Sequence, residues 1–325
     1  MQEAGILGLG CYLPPKRLTN SDLEKIMDTS DEWIITRTGI KERRIASSEK
    51  ATSDLGLEAS RAAIKDAGLK PEDIDLIITA TITPDMAFPA TACIIQDKIG
   101  ARNAAAFDIN AACSGFVFAL IIAQQFVNTG FYRNVLVVGA EKLTSIVDWK
   151  DRSTCILFGD GAGACVVGRS EDRRILSGFM GADGSGGHLL SVPAGGSRLP
   201  ATEDTLKNGL HFLKMEGNEV FKIAVRIMVD AANKAIKKAG LELDDISLFI
   251  PHQANIRILL AVARRLGVPE EKIFMNIERY GNMSAASTAV ALAEAGQQKK
   301  IKKGDNIVLV AFGGGLTYGA AVIKW

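Results

Sequence analysis

Cys113 stands in the run Ala106-Phe107-Asp108-Ile109-Asn110-Ala111-Ala112-Cys113-Ser114-Gly115-Phe116. A short strand, Ala104 to Ile109, ends in small residues there, and a helix-forming run, Phe116 to Val127, begins just beyond. That order puts a thiol on a tight strand-to-helix turn at the positive end of a helix. A helix N-terminus favours the thiolate, the form that attacks a carbonyl. A buried structural cysteine is the plain alternative, because free cysteine is among the most buried residue types. The chain has three histidines, His188, His211 and His252. His252 follows the apolar run Ile246 to Ile250, and ligands of open α/β sheets bind beyond the carboxyl ends of strands. It is therefore placed to act as acid, base or hydrogen-bond donor, with a locally satisfied strand-end histidine as the alternative. His188 and His211 lie in loop-like contexts and receive no role. Asn282 sits in Tyr280-Gly281-Asn282-Met283-Ser284, and Phe312-Gly313-Gly314-Gly315 follows a second apolar run. Glycines there let backbone N–H groups approach a substrate oxygen, as an oxyanion hole requires. Both are also ordinary turn sequences.

The elements that must position these residues are written twice. Residues 63–78 and 235–250 align at an offset of 172, with ten of sixteen positions identical, and the same offset maps Asn134–Val138 onto Asn306–Val310. Nearer each end, Gly163–Val167 resembles Gly319–Ile323 at an offset of 156. Two segments sharing one offset indicate an internal duplication, with a boundary in the charged stretch Ser170 to Arg174. The expected halves are residues 1–172, carrying the cysteine, and residues 173–325, carrying the histidine and asparagine. In each half a helix ending at a glycine (Gly68, Gly240) leads into a continuous apolar strand, and a second helix, a small-residue turn and further apolar strands follow. Continuous apolar strands belong to sheets covered on both faces. The run from Gly115 to Val127 is apolar nearly all round, which suits a helix buried between layers. Two similar α/β halves related by a pseudo-twofold axis are expected, with helices sandwiched between sheets. The offset places Asn282 in the second half's version of the Cys113 turn, and His252 at the strand end equivalent to Ala80. A pseudo-twofold brings these turns together, so Cys113, His252 and Asn282 converge on one pocket. Long irregular loops are expected over Gly181 to Gly196 and Ile40 to Ala51, the latter carrying Lys41, Arg43, Arg44 and Lys50.

The composition narrows the partners. The 325 residues are 47% hydrophobic and 23% charged, with a net charge of +1, so nothing global attracts nucleic acid or an anionic membrane. No apolar stretch reaches the length of a membrane span. The start, Met1-Gln2-Glu3-Ala4-Gly5, lacks a basic and then apolar leader, so no export signal is expected. Five cysteines with no CxxC spacing read as reduced thiols of a cytoplasmic protein. Three scattered histidines and unpaired cysteines provide no metal site. Gly8-Leu9-Gly10 lacks the third glycine of a dinucleotide fingerprint, and Pro14-Pro15 blocks its helix. Arg257 and Arg264 share a helix face with Arg265 beside them, and Lys214 and Lys222 flank a second basic segment. A solvated face is the plain reading. An acidic partner at the pocket mouth is the sharper one.

Taken together, these residues resemble the thiolase-fold condensing enzymes, and within them the β-ketoacyl-acyl-carrier-protein synthase III family. The blocks that carry the resemblance span the chain: Asp31-Glu32-Trp33-Ile34 to Gly39-Ile40; Thr83-Pro84-Asp85 with Phe88-Pro89; Asp108 to Phe118; Leu157-Phe158-Gly159-Asp160-Gly161-Ala162-Gly163; Pro251-His252-Gln253-Ala254-Asn255; Tyr280-Gly281-Asn282 with Ser284-Ala285-Ala286-Ser287; and Phe312-Gly313-Gly314-Gly315. The Cys-His-Asn set differs from the Cys-His-His pattern of elongating synthases. The resemblance implies a layered α-β-α-β-α sandwich. It implies the initiating condensation of type II fatty acid synthesis: Cys113 takes the acyl group of acetyl-CoA or another short acyl-CoA, and malonyl-acyl-carrier-protein then loses CO₂ and attacks it. By the same resemblance His252 and Asn282 stabilise the enolate, and the N–H groups of Cys113 and Gly314 form the oxyanion hole. Trp33, Arg37, Arg152, Phe221 and Asn255 hold CoA, and Lys222, Gln253, Arg257, Arg264 and Arg265 meet the carrier protein. Phe88 reaches the neighbouring site of a homodimer, and no metal or organic cofactor takes part. Met283 stands where Thr is frequent and Tyr318 where Trp is frequent, which puts the primer, straight or branched, in question. A condensing enzyme with another primer, a thiol hydrolase of acyl-CoA, and a non-catalytic carrier-protein binder are the alternatives.

Overall fold

The computed structural model describes residues 3–325; Met1 and Gln2, at the start of the segment read above for an export signal, lie outside the described residues. The duplicated pattern becomes strands Ala4–Tyr12 (β1), Leu76–Ala80 (β2), Ala105–Ile109 (β3), Val135–Lys142 (β4), Asp160–Arg169 (β5), Arg174–Ala182 (β6), Leu248–Pro251 (β7), Asn306–Gly313 (β8) and Thr317–Lys324 (β9). They form one hydrogen-bonded set in the order β7-β8-β9-β6-β1-β5-β4-β2-β3. β6 holds the place in the second run that β1 holds in the first, β7 that of β2, β8 that of β4 and β9 that of β5. For β3 the second run offers only a parallel bridge between Phe249 and Ile273. The two runs meet where β1 and β6 pair at Gly5 and Arg174, and where Ile6 N donates to Arg173 O at 2.8 Å.

The longer helices are Asp31–Thr38 (α1), Thr52–Asp66 (α2), Thr91–Ile99 (α3), Gly115–Asn128 (α4), Gly217–Lys238 (α5), Ile256–Leu266 (α6) and Ala285–Gln297 (α7). α2 and α3 cover the outer face of the first run of strands through Leu55, Ile64 and Ile95. α5 and α6 cover the outer face of the second through Met228, Ile236 and Val262. α4 and α7 lie between the two, in a core holding Phe116, Leu120, Val137, Leu292 and Leu309. This is the five-layer α-β-α-β-α sandwich with pseudo-twofold symmetry. The middle layer exists because α4 is apolar on nearly every face, and each large side chain buried there contributes roughly 1.5–3 kcal/mol. Its polar groups are satisfied across the molecule: Gln124 Nε2 donates to Ile175 O at 2.6 Å and Ser114 Oγ to Thr317 O at 3.0 Å.

Two segments differ from expectation. Ile40 to Ala51 is not a plain loop: Glu42–Arg44 pairs with Arg17–Thr19, and Arg43 is fully buried. Its guanidinium donates to Leu18 O, Asn20 Oδ1 and Ile156 O, so a residue that reads as a surface cation ties three segments together. Of Gly181 to Gly196, the first residues complete β6, and Leu190–Ser191 pairs with Lys214–Met215. Among the described residues, no helix is long and apolar enough to cross a membrane.

Candidate active site

Cys113 lies in a single 3₁₀ turn, Ala112–Ser114, directly before α4. Ala112 before it has φ 45°, a left-handed conformation that side chains other than glycine rarely adopt. Ser284, at the equivalent position before α7, also has φ 45°. The duplicated turns thus keep the same strained backbone, and strain of this kind clusters at functional sites. Two glycines admit the turns. A Cβ on Gly313 of β8 would stand 2.5 Å from Cys113 N, and a Cβ on Gly139 of β4 would stand 2.7 Å from Ala285 O. Each half's central strand therefore abuts the other half's turn.

The convergence expected from the repeat is present. Cys113, His252 and Asn282 line one cavity of about 1080 Å³, together with Gly313, Gly314, Gly315 and Ser284. All three side chains are buried, at 7%, 2% and 8% exposure. Main-chain bonds hold the surrounding turns: His252 N donates to Val310 O at 2.8 Å, Asn282 N to Leu157 O at 2.8 Å and Gly159 N to Asn282 O at 3.0 Å. Ser284 N donates to Asn282 Oδ1 at 2.8 Å, so the amide oxygen is engaged and the NH₂ group is left to donate. His252 Nδ1 has no partner, and burial pushes the imidazole down to about 3, so it rests neutral. Burial also pushes the Cys113 thiol up to about 12, with the Glu141 charge acting in the same direction and Ser284 opposing. The expected lowering by a helix terminus is thus outweighed by desolvation in the resting state.

The cavity mouth is built from aromatic and basic residues. Trp33 of α1 has two guanidinium groups over its ring, Arg37 at 4.8 Å and Arg152 at 4.7 Å from the ring centre. Phe221 carries Arg257 at 5.6 Å over its ring. Asn255 caps α6 by accepting from Arg257 N at 2.8 Å, and donates to Arg37 O at 3.1 Å, joining the end of α1 to the start of α6. Lys222, also at the lining, pairs with Glu219 at 2.8 Å. Arg264 and Arg265 are exposed on the last turn of α6 and do not line the cavity. Phe88 is 85% exposed and lies outside the cavity of its own chain. Gln253 requires a correction. It is fully buried; its Nε2 donates to Pro251 O and Phe274 O, and its Oε1 accepts from Asn276 N. It shapes the turn beside His252 and cannot meet a carrier protein.

Sequence reasoning passed over Glu141 and gave Ser284 no role. The available signal was a charge continuing the apolar strand Val135 to Ala140. Among the described residues, no three His, Cys, Asp or Glu side chains gather as a metal site.

A thiol at the head of a buried helix, with a neutral imidazole and an amide in the same cavity of a five-layer fold, is the arrangement of a condensing enzyme of the thiolase fold. The family described as 3-oxoacyl-[acyl-carrier-protein (ACP)] synthase III matches residues 107–184, and its C-terminal part matches residues 236–325. A β-ketoacyl-[acyl-carrier-protein] synthase III of Caldanaerobacter subterraneus subsp. tengcongensis is 61% identical, over 99% of this chain and 98% of that protein. One of Clostridioides difficile is 58% identical over the same shares. The crystal structure of 3-oxoacyl-[acyl-carrier-protein] synthase III from Aquifex aeolicus VF5 superposes with a TM-score of 0.92 at 51% identity, covering 99% of this chain and 100% of that one. The chain belongs to the 3-oxoacyl-[acyl-carrier-protein] synthase III family.

Proposed function

We propose that this acyltransferase carries out the initiating condensation of fatty acid synthesis, joining acetyl-CoA or another short acyl-CoA to malonyl-acyl-carrier-protein. The observation that carries the reading is the convergence of Cys113, His252 and Asn282 in one cavity whose mouth is aromatic and basic. In the first half-reaction the Cys113 sulfur attacks the acyl thioester carbonyl, the N–H groups of Cys113 and Gly314 receive the oxyanion, and CoA leaves as its thiol. In the second, malonyl-acyl-carrier-protein occupies the emptied cavity. His252 and the Asn282 NH₂ group hold its thioester oxygen, CO₂ departs, and the enolate carbon attacks the acyl-Cys113 carbonyl. Collapse expels the Cys113 sulfur and releases 3-oxoacyl-carrier-protein. A neutral imidazole suits this task, because it donates a hydrogen bond without protonating the enolate. Trp33, Arg37, Arg152, Phe221 and Asn255 receive CoA in this reading. Lys222, Arg257, Arg264 and Arg265 face the acidic carrier. Phe88 serves the partner's cavity in a homodimer, and the enzyme works in the cytoplasm. The division into residues 1–172 and 173–325 separates nucleophile from enolate-holding groups.

Intact mass recorded after mixing with acetyl-CoA, and again after adding malonyl-carrier-protein, tests the reading. Gain of one acetyl group on Cys113, lost as acetoacetyl-carrier-protein forms, is expected. Labelling only by other acyl-CoA substrates would move the enzyme to another primer, and no labelling by any acyl-CoA would remove Cys113 as nucleophile.

A further inference from the structure

Behind Cys113 lies a fully buried carboxyl group that the steps above do not use. Glu141, the second-last residue of β4, is 0% exposed. Its oxygens accept from Thr83 Oγ1 at 2.7 Å, Thr81 Oγ1 at 3.2 Å, Ile82 N at 3.2 and 3.3 Å, and Ala285 N at 3.4 Å. This donor set suits an ionised carboxylate, and Ala285 N belongs to the first residue of α7, whose positive end faces the charge. Ser284 lines the cavity together with Cys113, and the next residue, Ala285, donates its N–H to Glu141, which places the Ser284 hydroxyl in the neighbourhood of both groups. It lines the cavity, is 1% exposed, and has no partner at ordinary hydrogen-bond distance at rest. A buried hydroxyl without a bond is costly unless it serves some state of the molecule.

We infer that Glu141, acting through the Ser284 hydroxyl, takes the Cys113 proton when the sulfur attacks the acyl thioester. The inference rests on the reading of Cys113 as the acylated nucleophile. The step balances as follows. The S–H bond breaks as the S–C bond forms, Ser284 Oγ accepts that proton while passing its own to Glu141, and the proton returns by the same path to the departing CoA sulfur. Cys113 and Glu141 thus share a single negative charge. The competing acceptor in the cavity is His252, which burial holds down at about 3, whereas burial raises Glu141 to about 7 and so makes it the stronger base. Among the described residues, the charged groups nearest in the chain and fold are engaged elsewhere. Lys142 points away, its Nζ donating to the carbonyls of Ser47, Ser48 and Lys50, while Asp85 is held by Ser53 and Asp160 by Ala46 and Thr144.

The test is the pH profile of iodoacetamide alkylation at Cys113, followed by peptide mass, in the parent, Glu141→Gln and Ser284→Ala. Exposed Cys93 serves as the internal reference for ordinary thiol reactivity, and continued protection of buried Cys165 reports an intact fold. The probe contains no acyl thioester, so the outcome is separate from whether acetyl-CoA is a substrate. The parent rate should rise to a plateau with a midpoint near the Glu141 value of about 7. Both variants should lose on the order of 10²-fold at neutral pH and rise without a plateau toward alkaline pH, because the acceptor or its bridge is gone. Loss in Glu141→Gln with an unmoved midpoint would mark a packing role and overturn the inference. Faster alkylation would do the same, by showing that the charge only suppresses the thiolate. An unchanged Ser284→Ala profile would overturn the path through Ser284. If Glu141→Gln does not fold, Ser284→Ala decides the matter alone.

Discussion

Cys113 at rest is a thiol, not a thiolate, so its reactivity must be generated within the cavity. In the proposed reaction Asn282 and His252 act later, and their loss should be visible only then. Asn282→Ala removes one donor to a developing oxyanion, an effect typically worth about 10²–10³-fold in rate. Decarboxylation and condensation should fall by that order while acetylation of Cys113 persists, which single-turnover mass measurements separate. His252 also leaves a mark on stability. Its folded-state value, about 3, lies below the ordinary 6.5, so the unfolded chain binds the proton more tightly. The stability this neutral ring contributes is full above pH 6.5 and is lost as pH falls toward about 3. Between about pH 7 and about pH 5 the parent should lose on the order of 2 kcal/mol more than His252→Asn. Urea midpoints of the two proteins at both pH values check this. Glu141 has the opposite sign, since its raised value makes its contribution full below 4.5 and lost as pH rises through about 7. It is present in both proteins and cancels in the comparison.

The paired turns work as elements because backbone from the opposite half comes close enough to hold them. Gly313→Ala would push a methyl against Cys113 N, where a Cβ would lie at 2.5 Å. Overpacking of this kind costs about 1–3 kcal/mol, and the acetylation rate should fall together with the thermal midpoint. The asparagine turn has a further brace. Glu294 of α7 accepts from Asn276 Nδ2 at 2.8 Å, from both terminal nitrogens of Arg279 at 2.9 Å, and from Tyr280 Oη at 2.7 Å. The same Asn276 donates its backbone N–H to Gln253, so the brace links the His252 and Asn282 segments. Glu294→Gln weakens a buried, charge-assisted set and should cost about 1–3 kcal/mol in urea unfolding. Condensation should slow more than Cys113 acetylation, because only the enolate-holding groups are displaced.

Across the whole molecule the charge is almost balanced, at +1, so the proposed attraction to an acidic carrier would have to come from a local patch. Arg257 on α6 and Lys222 on α5 are exposed at the cavity lining, and Arg264 and Arg265 are exposed on the last turn of α6. Reversing Arg264 and Arg265 to Glu should raise KM for malonyl-carrier-protein by on the order of tenfold, and high salt should narrow the difference. Acetylation by acetyl-CoA should change little, since neither residue lines the cavity. Steady-state kinetics with the two substrates varied separately distinguishes these effects.

The sequence by itself determined the layers and the meeting of the turns. A helix apolar on all faces must be buried between sheets, and a 172-residue offset shared by separate segments places Asn282 opposite Cys113 and His252 at a strand end. These are properties of periodicity and repetition, which the linear order carries intact. Tertiary structure decided what depends on burial. Gln253 and Arg43 read as polar surface groups, yet both are fully enclosed and hold backbone carbonyls. The thiol, expected to be acidified at a helix start, is instead raised by desolvation, and Glu141 becomes the carboxylate behind it. A side chain's chemistry follows from the dielectric and the donors around it. Those come from segments far apart in the chain, such as Thr83, Glu141 and Ser284, and only folding brings them into one place.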